Sequence, residues 1–564
     1  MKILILASSF SGLCQRVLRE LITAGHNVEQ HYGMNEKLLR EQLAHFKPEL
    51  VVCPFLTHRI PTDIWQSHRC LIVHPGIEGD RGPSSLDWAI SESWPYWGVT
   101  LLQADAEMDA GDIWGTKEFP LRSAGKTSTY KREVSSAAVQ LILEAIKNVK
   151  DGNFMPRPLD YDAPHVRGQL LDLMRQPQRK INWQKDSTET VMQKIYAADT
   201  SPGVLDEING HEVHLFGPIA EKKLKGKPGD LLAIRYDAVC RATSDGAVWI
   251  RQLKCKNHSN IPAIKLPAAT VLEVLLEPTE MSQLQLSSQS ETANDIRVDH
   301  AGEVAYIYFD FYNGAANTTQ CQRLKETLQE VKQGSAKTLV FMGGEDFFSN
   351  GIHLNCIEAA ESPADESWAN INAIDDVVLE ILNSPNHLTI AALRNNAGAG
   401  GAILALACDR VVVRDGVVLN PHYQNMGLFG SEYWTYLLPK KVGADLAKEI
   451  SVECQPMLAS EAFNMGFADT LFDEEWTLFH QQLTELAEVA SQGEEYTEAL
   501  RLKRRERAAD EAMKPLAFYR EAELQKMHAT FYDTHARYHN DRREFVYKGK
   551  VPAQLQDRFT TTVP

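Results

Sequence analysis

Residues 389–434 read TIAALRNNAGAGGAILALACDRVVVRDGVVLNPHYQNMGLFGSEYW. A short apolar run at 390–393 predicts a buried strand. A turn of small residues follows, with glycines at 398, 400 and 401. The apolar run 402–408 then predicts a buried helix. Glycines at a strand-to-helix turn let another group approach the backbone closely. The first turn of a helix has N–H groups without intrahelical acceptors. An anion or a polarised carbonyl oxygen fits such a place. A tightly packed loop without a ligand has the same pattern, because glycine-rich turns are common.

The flanking segments weigh against the ligand-free reading. AALRNNAGAGGAILALACD, with FFSNGIHL at 347–354 before it, resembles the crotonase family of enoyl-CoA hydratases and isomerases. The resemblance covers roughly residues 298–473. It implies a ββα superhelix in which two backbone N–H groups hold a thioester oxygen, here those of Ile352 and Gly400. Gly351 beside them is a candidate for contact with a CoA ester. The two glutamate positions of the hydratases fall on Ile403 and Tyr423, so ordinary hydration of a double bond is not expected. Tyr423 and Glu432, in HYQNMGLFGSE, are the polar groups left near the thioester.

The 564 residues are enough for two to four domains. With 44% hydrophobic and 24% charged residues, the composition is that of an ordinary globular protein. A formal charge of −17 argues against general nucleic-acid binding. The nine cysteines include no CxxC pair, which disfavours a disulfide framework or a cysteine zinc site. A reducing cytoplasm fits this usage. No apolar run reaches the roughly 18 residues of a membrane span. The N-terminal MKILILASSF reads as a first buried strand, not as a leader peptide.

A helix is predicted at 11–24, and further strands at 50–53 and 70–73. Strands alternating with helices predict a Rossmann-type parallel α/β sheet, with ligands at the carboxyl ends of its strands. SSFSG (8–12) is not a dinucleotide fingerprint, so NAD is not expected. His74 stands immediately after CLIV, at such a strand end. Alone it is as easily a core or turn residue as a catalytic one.

His74 opens HPGIEGDRGPSSLDWAISESWPYWGVTLLQADAEMDAGD (74–112). Its RGPSSLDWAI and GVTLLQADAEMDAGDI segments resemble the formyltetrahydrofolate-dependent formyltransferases and hydrolases. In that family a histidine and an aspartate flank the formyl group on folate, and they map to His74 and Asp109. A carboxylate beside an imidazole orients it and raises its pKa, which suits proton transfer at neutral pH. The family's asparagine two residues earlier is Ile72 here, which cannot donate a hydrogen bond. Losing one oxyanion donor costs about 10²–10³ in rate. Either another donor replaces it, or the acceptor is a stronger nucleophile such as a thiolate. The resemblance places the pteridine along Phe55, Leu56 and Thr57 and along Gln103 and Asp105. INWQKDSTETVMQKIYAADTSPGVLDEING (181–210) and the alternating strands after it resemble the same family's small C-terminal β-barrel.

Four regions follow: a formyltransferase-like domain at 1–180, a small OB-like β-barrel at 181–280, a Ser/Gln-rich linker at 281–296, and a crotonase-like domain with charged C-terminal helices at 297–564. The charge run RLKRRERAADEA (501–512) reads as a solvated helix face, with a docking surface as the other reading. Lys131, Arg132 and Arg558 are candidates for the phosphates of coenzyme A. No clustered metal-ligand spacing occurs, so no metal is expected.

A formyl-folate half joined to a CoA-thioester half resembles, over essentially the whole chain, a family of hydrogenase maturation proteins. The resemblance implies carbon monoxide synthesis for [NiFe]-hydrogenase. The formyl group of 10-formyltetrahydrofolate would pass to coenzyme A, and formyl-CoA would split into CO and CoA. The implied partners are the hydrogenase large subunit or iron-carrying maturation proteins. Two other readings stay open. One is a formyl-folate hydrolase or formyltransferase releasing formate. The other is a non-catalytic, CoA-binding assembly factor.

Overall fold

The computed structural model describes residues 1–285 and 292–549. The described residues form two compact units, one of residues 1–258, 267–285 and 292–293, the other of 259–266 and 294–549. Part of the expected linker, 286–291, and Arg558 lie outside the described residues.

The first unit begins with β1 (Lys2–Ala7), whose apolar KILILA is buried from its second residue on. Ser11 caps the helix Gly12–Thr23, its side chain accepting from the Cys14 N–H. The chain then adds β2 (Asn27–Tyr32), β3 (Leu50–Cys53), β4 (Cys70–His74), β5 (Tyr96–Gln103) and β6 (Ile113–Pro120). The sheet order is β2-β1-β3-β4-β5-β6. The first four strands are parallel, and β5 and β6 are antiparallel to their neighbours. The expected parallel sheet is therefore mixed. The loop between β5 and β6 contains no crossover helix, so the strand turns straight back. His74 is the last residue of β4.

A long irregular segment leaves the helix Ser135–Asp151 and runs to the short helix Gln176–Arg179. An antiparallel sheet then forms in the order Val204–Ile208, His211–Glu221, Ala247–Cys255, Ala238–Ala242, Leu231–Arg235. This is the alternating-strand region read from the sequence.

The second unit has a sheet ordered Ile296–Ala301, Val304–Phe309, Thr338–Gly343, Leu388–Leu393, Arg410–Arg414, Thr470–Phe472. Its first pair is antiparallel and the others are parallel. A small second sheet joins Ala397–Gly398, Val418–Asn420 and Met457–Leu458. The helix Pro363–Leu382 packs into the large apolar core through Ile371, Ile374, Val377, Val378 and Ile381. The apolar run after the glycines is a five-residue helix, Gly400–Leu404, continued by a 3₁₀ turn, Ala405–Ala407. No helix among the described residues is long and apolar enough to cross a membrane.

Candidate functional site

In the first unit, β4 delivers His74 into a buried position. Its Nε2–H donates to Asp80 Oδ2 at 2.7 Å. Its Nδ1 faces Asp109 Oδ1 at 3.7 Å. Asp109 stands in the left-handed region, with φ of 58°. Its other oxygen accepts from the Gly82 N–H at 3.4 Å. Burial works to lower the His74 pKa. The hydrogen bond to Asp80 and the charges of Asp109 and Asp80 outweigh it, and the net shift is upward.

Asp80, six residues after His74, carries no motif signal of its own in the sequence. A Cβ at Gly76 would overlap both the Asp80 carboxylate and the His74 ring nitrogen, so the pair requires glycine there. The loop carrying Asp80 is buried and its polar groups need partners. The irregular segment supplies them. Arg157 makes a two-pronged ion pair with Glu78, and His165 reaches the same carboxylate at 3.3 Å. Arg157 first, against the opposing effect of burial, holds the Glu78 carboxyl below its usual range. The Gly168 N–H donates to Glu78 O at 3.1 Å, and Arg81 exchanges backbone bonds with Gln169 and Leu171.

The expected folate residues occupy two places. Phe55, Leu56 and Thr57 follow β3, where the Thr57 N–H donates to Ser8 Oγ and the Phe55 ring stands edge-on to Tyr130. Gln103 closes β5 opposite Leu71, three residues from the His74 level. Asp105 begins the exposed loop that folds back to bring Asp109 to His74. Lys131 and Arg132 lie in a π-helical turn, Tyr130–Val134, before the helix Ser135–Asp151.

In the second unit, Gly351 and Gly400 are in contact. A Cβ on Gly351 would lie 3.3 Å from the Gly400 nitrogen. Parallel bridges Ala316–Ile352 and Ser349–Ala397 hold the 349–352 loop there. Gly400 is the first residue of its helix, so its N–H has no acceptor within it. The Glu432 carboxylate covers Gly400 so closely that any Cβ would overlap it. Glu432 is 1% exposed. The Tyr423 hydroxyl donates to Glu432 Oε2 at 3.1 Å. Gly430 lies under the Tyr423 ring, where a Cβ would come to 2.8 Å. The family glutamate position at Ile403 is filled by a fully buried core residue.

Glu432 and Tyr433 are consecutive left-handed residues, with φ of 60° and 59°. Asp375, on the helix Pro363–Leu382, holds this turn. It accepts from the Glu432 N–H at 2.8 Å and from the Ser431 hydroxyl at 2.7 Å. Burial, with the Asp375 charge behind it, pushes the Glu432 carboxyl up to about 8. Burial pushes Asp375 up to about 6, and pushes Glu523, which accepts from Thr435, up to about 8. A carboxyl with a raised pKa, hydrogen-bonded to a buried phenol, thus sits over the helix-start N–H of Gly400. Such a set can hold an oxygen and move protons without bulk water.

Family models fit the chain in the same order. The Formyl transferase model matches residues 1–146, and Formyl transferase, C-terminal domain, matches 173–266. Enoyl-CoA hydratase/isomerase matches 301–554. The chain is 25% identical over 207 residues to methionyl-tRNA formyltransferase of Thermotoga neapolitana, covering 36% of this chain and 64% of that one. It is similar to the structure of HypX from Aquifex aeolicus in complex with tetrahydrofolic acid. That similarity has 42% identity and a TM-score of 0.92, over 97% of this chain and 96% of that one. It is 43% identical to the hydrogenase maturation factor HoxX of Bradyrhizobium diazoefficiens, over 97% of this chain and 95% of the relative. With two such relatives along nearly its full length, the chain belongs to the HypX/HoxX family of hydrogenase maturation factors.

Proposed function

We propose that the chain makes carbon monoxide for hydrogenase maturation in two steps, one in each half. In the first, the thiol sulfur of coenzyme A attacks the formyl carbon of 10-formyltetrahydrofolate. A C–S bond forms, the C–N10 bond breaks, and the nitrogen regains a proton. His74 and Asp109 handle the protons of this exchange. Phe55, Leu56, Thr57, Gln103 and Asp105 hold the folate, and Lys131 and Arg132 meet CoA phosphates. In the second step formyl-CoA divides into CO and CoA. The formyl hydrogen leaves carbon as a proton, the C–S bond breaks, and the sulfur ends protonated, so no redox partner is required. The N–H groups of Ile352 and Gly400 hold the thioester oxygen, Gly351 borders the ester, and Tyr423 and Glu432 carry the proton.

The observation that carries this reading is the Tyr423–Glu432 pair over Gly400. A buried phenol–carboxyl pair beside Gly400 supports proton transfer shielded from water, in place of the hydratase glutamates. The tetrahydrofolate named for the Aquifex relative supports a folate substrate for the first half. The iron receiving CO belongs to a partner, either the hydrogenase large subunit or an iron-carrying maturation protein. The four-region division of the chain and a cytoplasmic location are part of the same proposal.

The test incubates the purified chain with 10-formyltetrahydrofolate and CoA. CO is read by haemoglobin absorbance in the headspace and formate is assayed alongside. CO that requires protein and both ligands is expected. Formate without CO, from folded chain, would replace the second step with hydrolysis.

A further inference from the structure

A neutral imidazole carries one proton, and the partner of one nitrogen decides the state of the other. At His74 that partner is Asp80, buried and 2.7 Å from Nε2. Holding the proton there leaves the lone pair on Nδ1. Nδ1 lies 3.7 Å from Asp109 Oδ1, too far for a direct hydrogen bond yet close enough that one reacting group beside the pair can reach both. We infer that Asp80 is a positioning residue for formyl transfer, fixing the ring orientation and proton placement of His74 so that Nδ1 faces the formyl group. The inference rests on the formyl-transfer reading of His74.

Two further features converge on this pair. Gly76 is the clearance that lets imidazole and carboxylate meet, since a Cβ would overlap both. The segment through Arg157, His165 and Gly168 fixes the loop that aims Asp80, through bonds to Glu78 and Arg81 on either side of it. A carboxylate that only pinned the loop would not need to meet the ring at its far nitrogen. The arrangement follows the logic of a carboxylate–histidine pair in acyl transfer, where the carboxylate selects the tautomer without itself reacting. The charged groups acting on the ring are Asp80 and Asp109.

The experiment compares full-length wild type with Asp80→Asn. The amide of the variant can donate to Nε2 and so favours a proton on Nδ1. The expected kcat for 10-formyltetrahydrofolate consumption falls roughly 10²-fold. KM stays within about threefold, the signature of a lost transition-state interaction. The limb of the kcat profile that reports His74 moves to lower pH, because a carboxylate has been removed. In ¹⁵N spectra of histidine-labelled protein, the bare nitrogen of His74 changes from Nδ1 to Nε2. A folded variant with wild-type kcat and an unmoved limb overturns the inference. Where Asp80→Asn fails to fold, Gly76→Ala decides, since it keeps both groups and forces them apart. The same loss is expected there, and unchanged kcat and spectrum overturn the inference. If the wild type consumes no formyl-folate, the substrate reading fails by itself. The spectrum still judges the pair, because a bare Nε2 in wild type is incompatible with this role for Asp80.

Discussion

Glu432 is a carboxylic acid shut away from water beside two other buried acids, Asp375 and Glu523. Its folded pKa of about 8 lies above its ordinary 4.5. Between those values the folded chain binds more protons than the unfolded one, so this group makes stability fall as pH rises from about 4.5 to about 8, and no further above that. The slope is at most about 1.4 kcal/mol per pH unit. Glu432→Gln removes it. The variant is expected to gain stability over wild type progressively from pH 5 to pH 8 in urea unfolding, while CO formation drops about 10²–10⁴-fold. Parallel stability curves would show that Glu432 is ionised in the fold. His74, Asp109, Tyr423 and Glu432 could be picked from motif positions, and the fold brings them together in two pairs. Asp80 and Asp375 could not, because their roles depend on what faces them. Asp375 did leave a trace, an acid at the core-facing spacing of Ile371, Ile374 and Val378.

Among the elements, apolar strands were legible and polar ones were not. The runs at 50–53 and 70–73 match β3 and β4 closely, since burial on both faces demands continuous apolar sequence. The strand β2, NVEQHY, is an edge strand with one buried residue, His31, and gives no such signal. The irregular segment between Ser135–Asp151 and Gln176–Arg179 also has no periodicity to read, and its value lies in the loop it ties down. Gly168→Ala tests that tie, because the added Cβ would overlap the Asp80 backbone nitrogen. The expected cost is about 1–3 kcal/mol in urea unfolding, as for other overpacked sites. Formyl-folate consumption should fall with it, whereas full activity would mean the segment is dispensable. The charge run at 501–512 is only partly a solvated face. The helix Gly493–Met513 buries just Leu500, yet Lys503 binds His387 O and Asp409, and Arg504 binds Pro385 O. Composition revealed the charge but not its partners.

At the scale of the molecule, a formyltransferase-like half and an enoyl-CoA hydratase/isomerase-like half share one chain, and on the proposed function each step should fail separately. His74→Ala is expected to lose formyl-folate consumption yet make CO from supplied formyl-CoA at the wild-type rate. Tyr423→Phe is expected to do the reverse, consuming formyl-folate while CO falls about 10²-fold or more. If His74→Ala cannot use supplied formyl-CoA, the division of steps between the halves is wrong. The order of the two halves was legible because each carries loop motifs of its own.

The left-handed pair Glu432–Tyr433 has a consequence for anyone breeding sturdier forms of this protein. Each such non-glycine residue costs roughly 1–3 kcal/mol. A glycine at position 432 would relieve that cost, whereas at position 433 the lost burial of the Tyr433 ring outweighs it. A screen that scores only survival of heating is therefore expected to reward loss of Glu432 early, and with it the proton carrier of the proposed second step. If the proposed CO formation holds, hardier versions have to be sought with CO output kept as the first sieve.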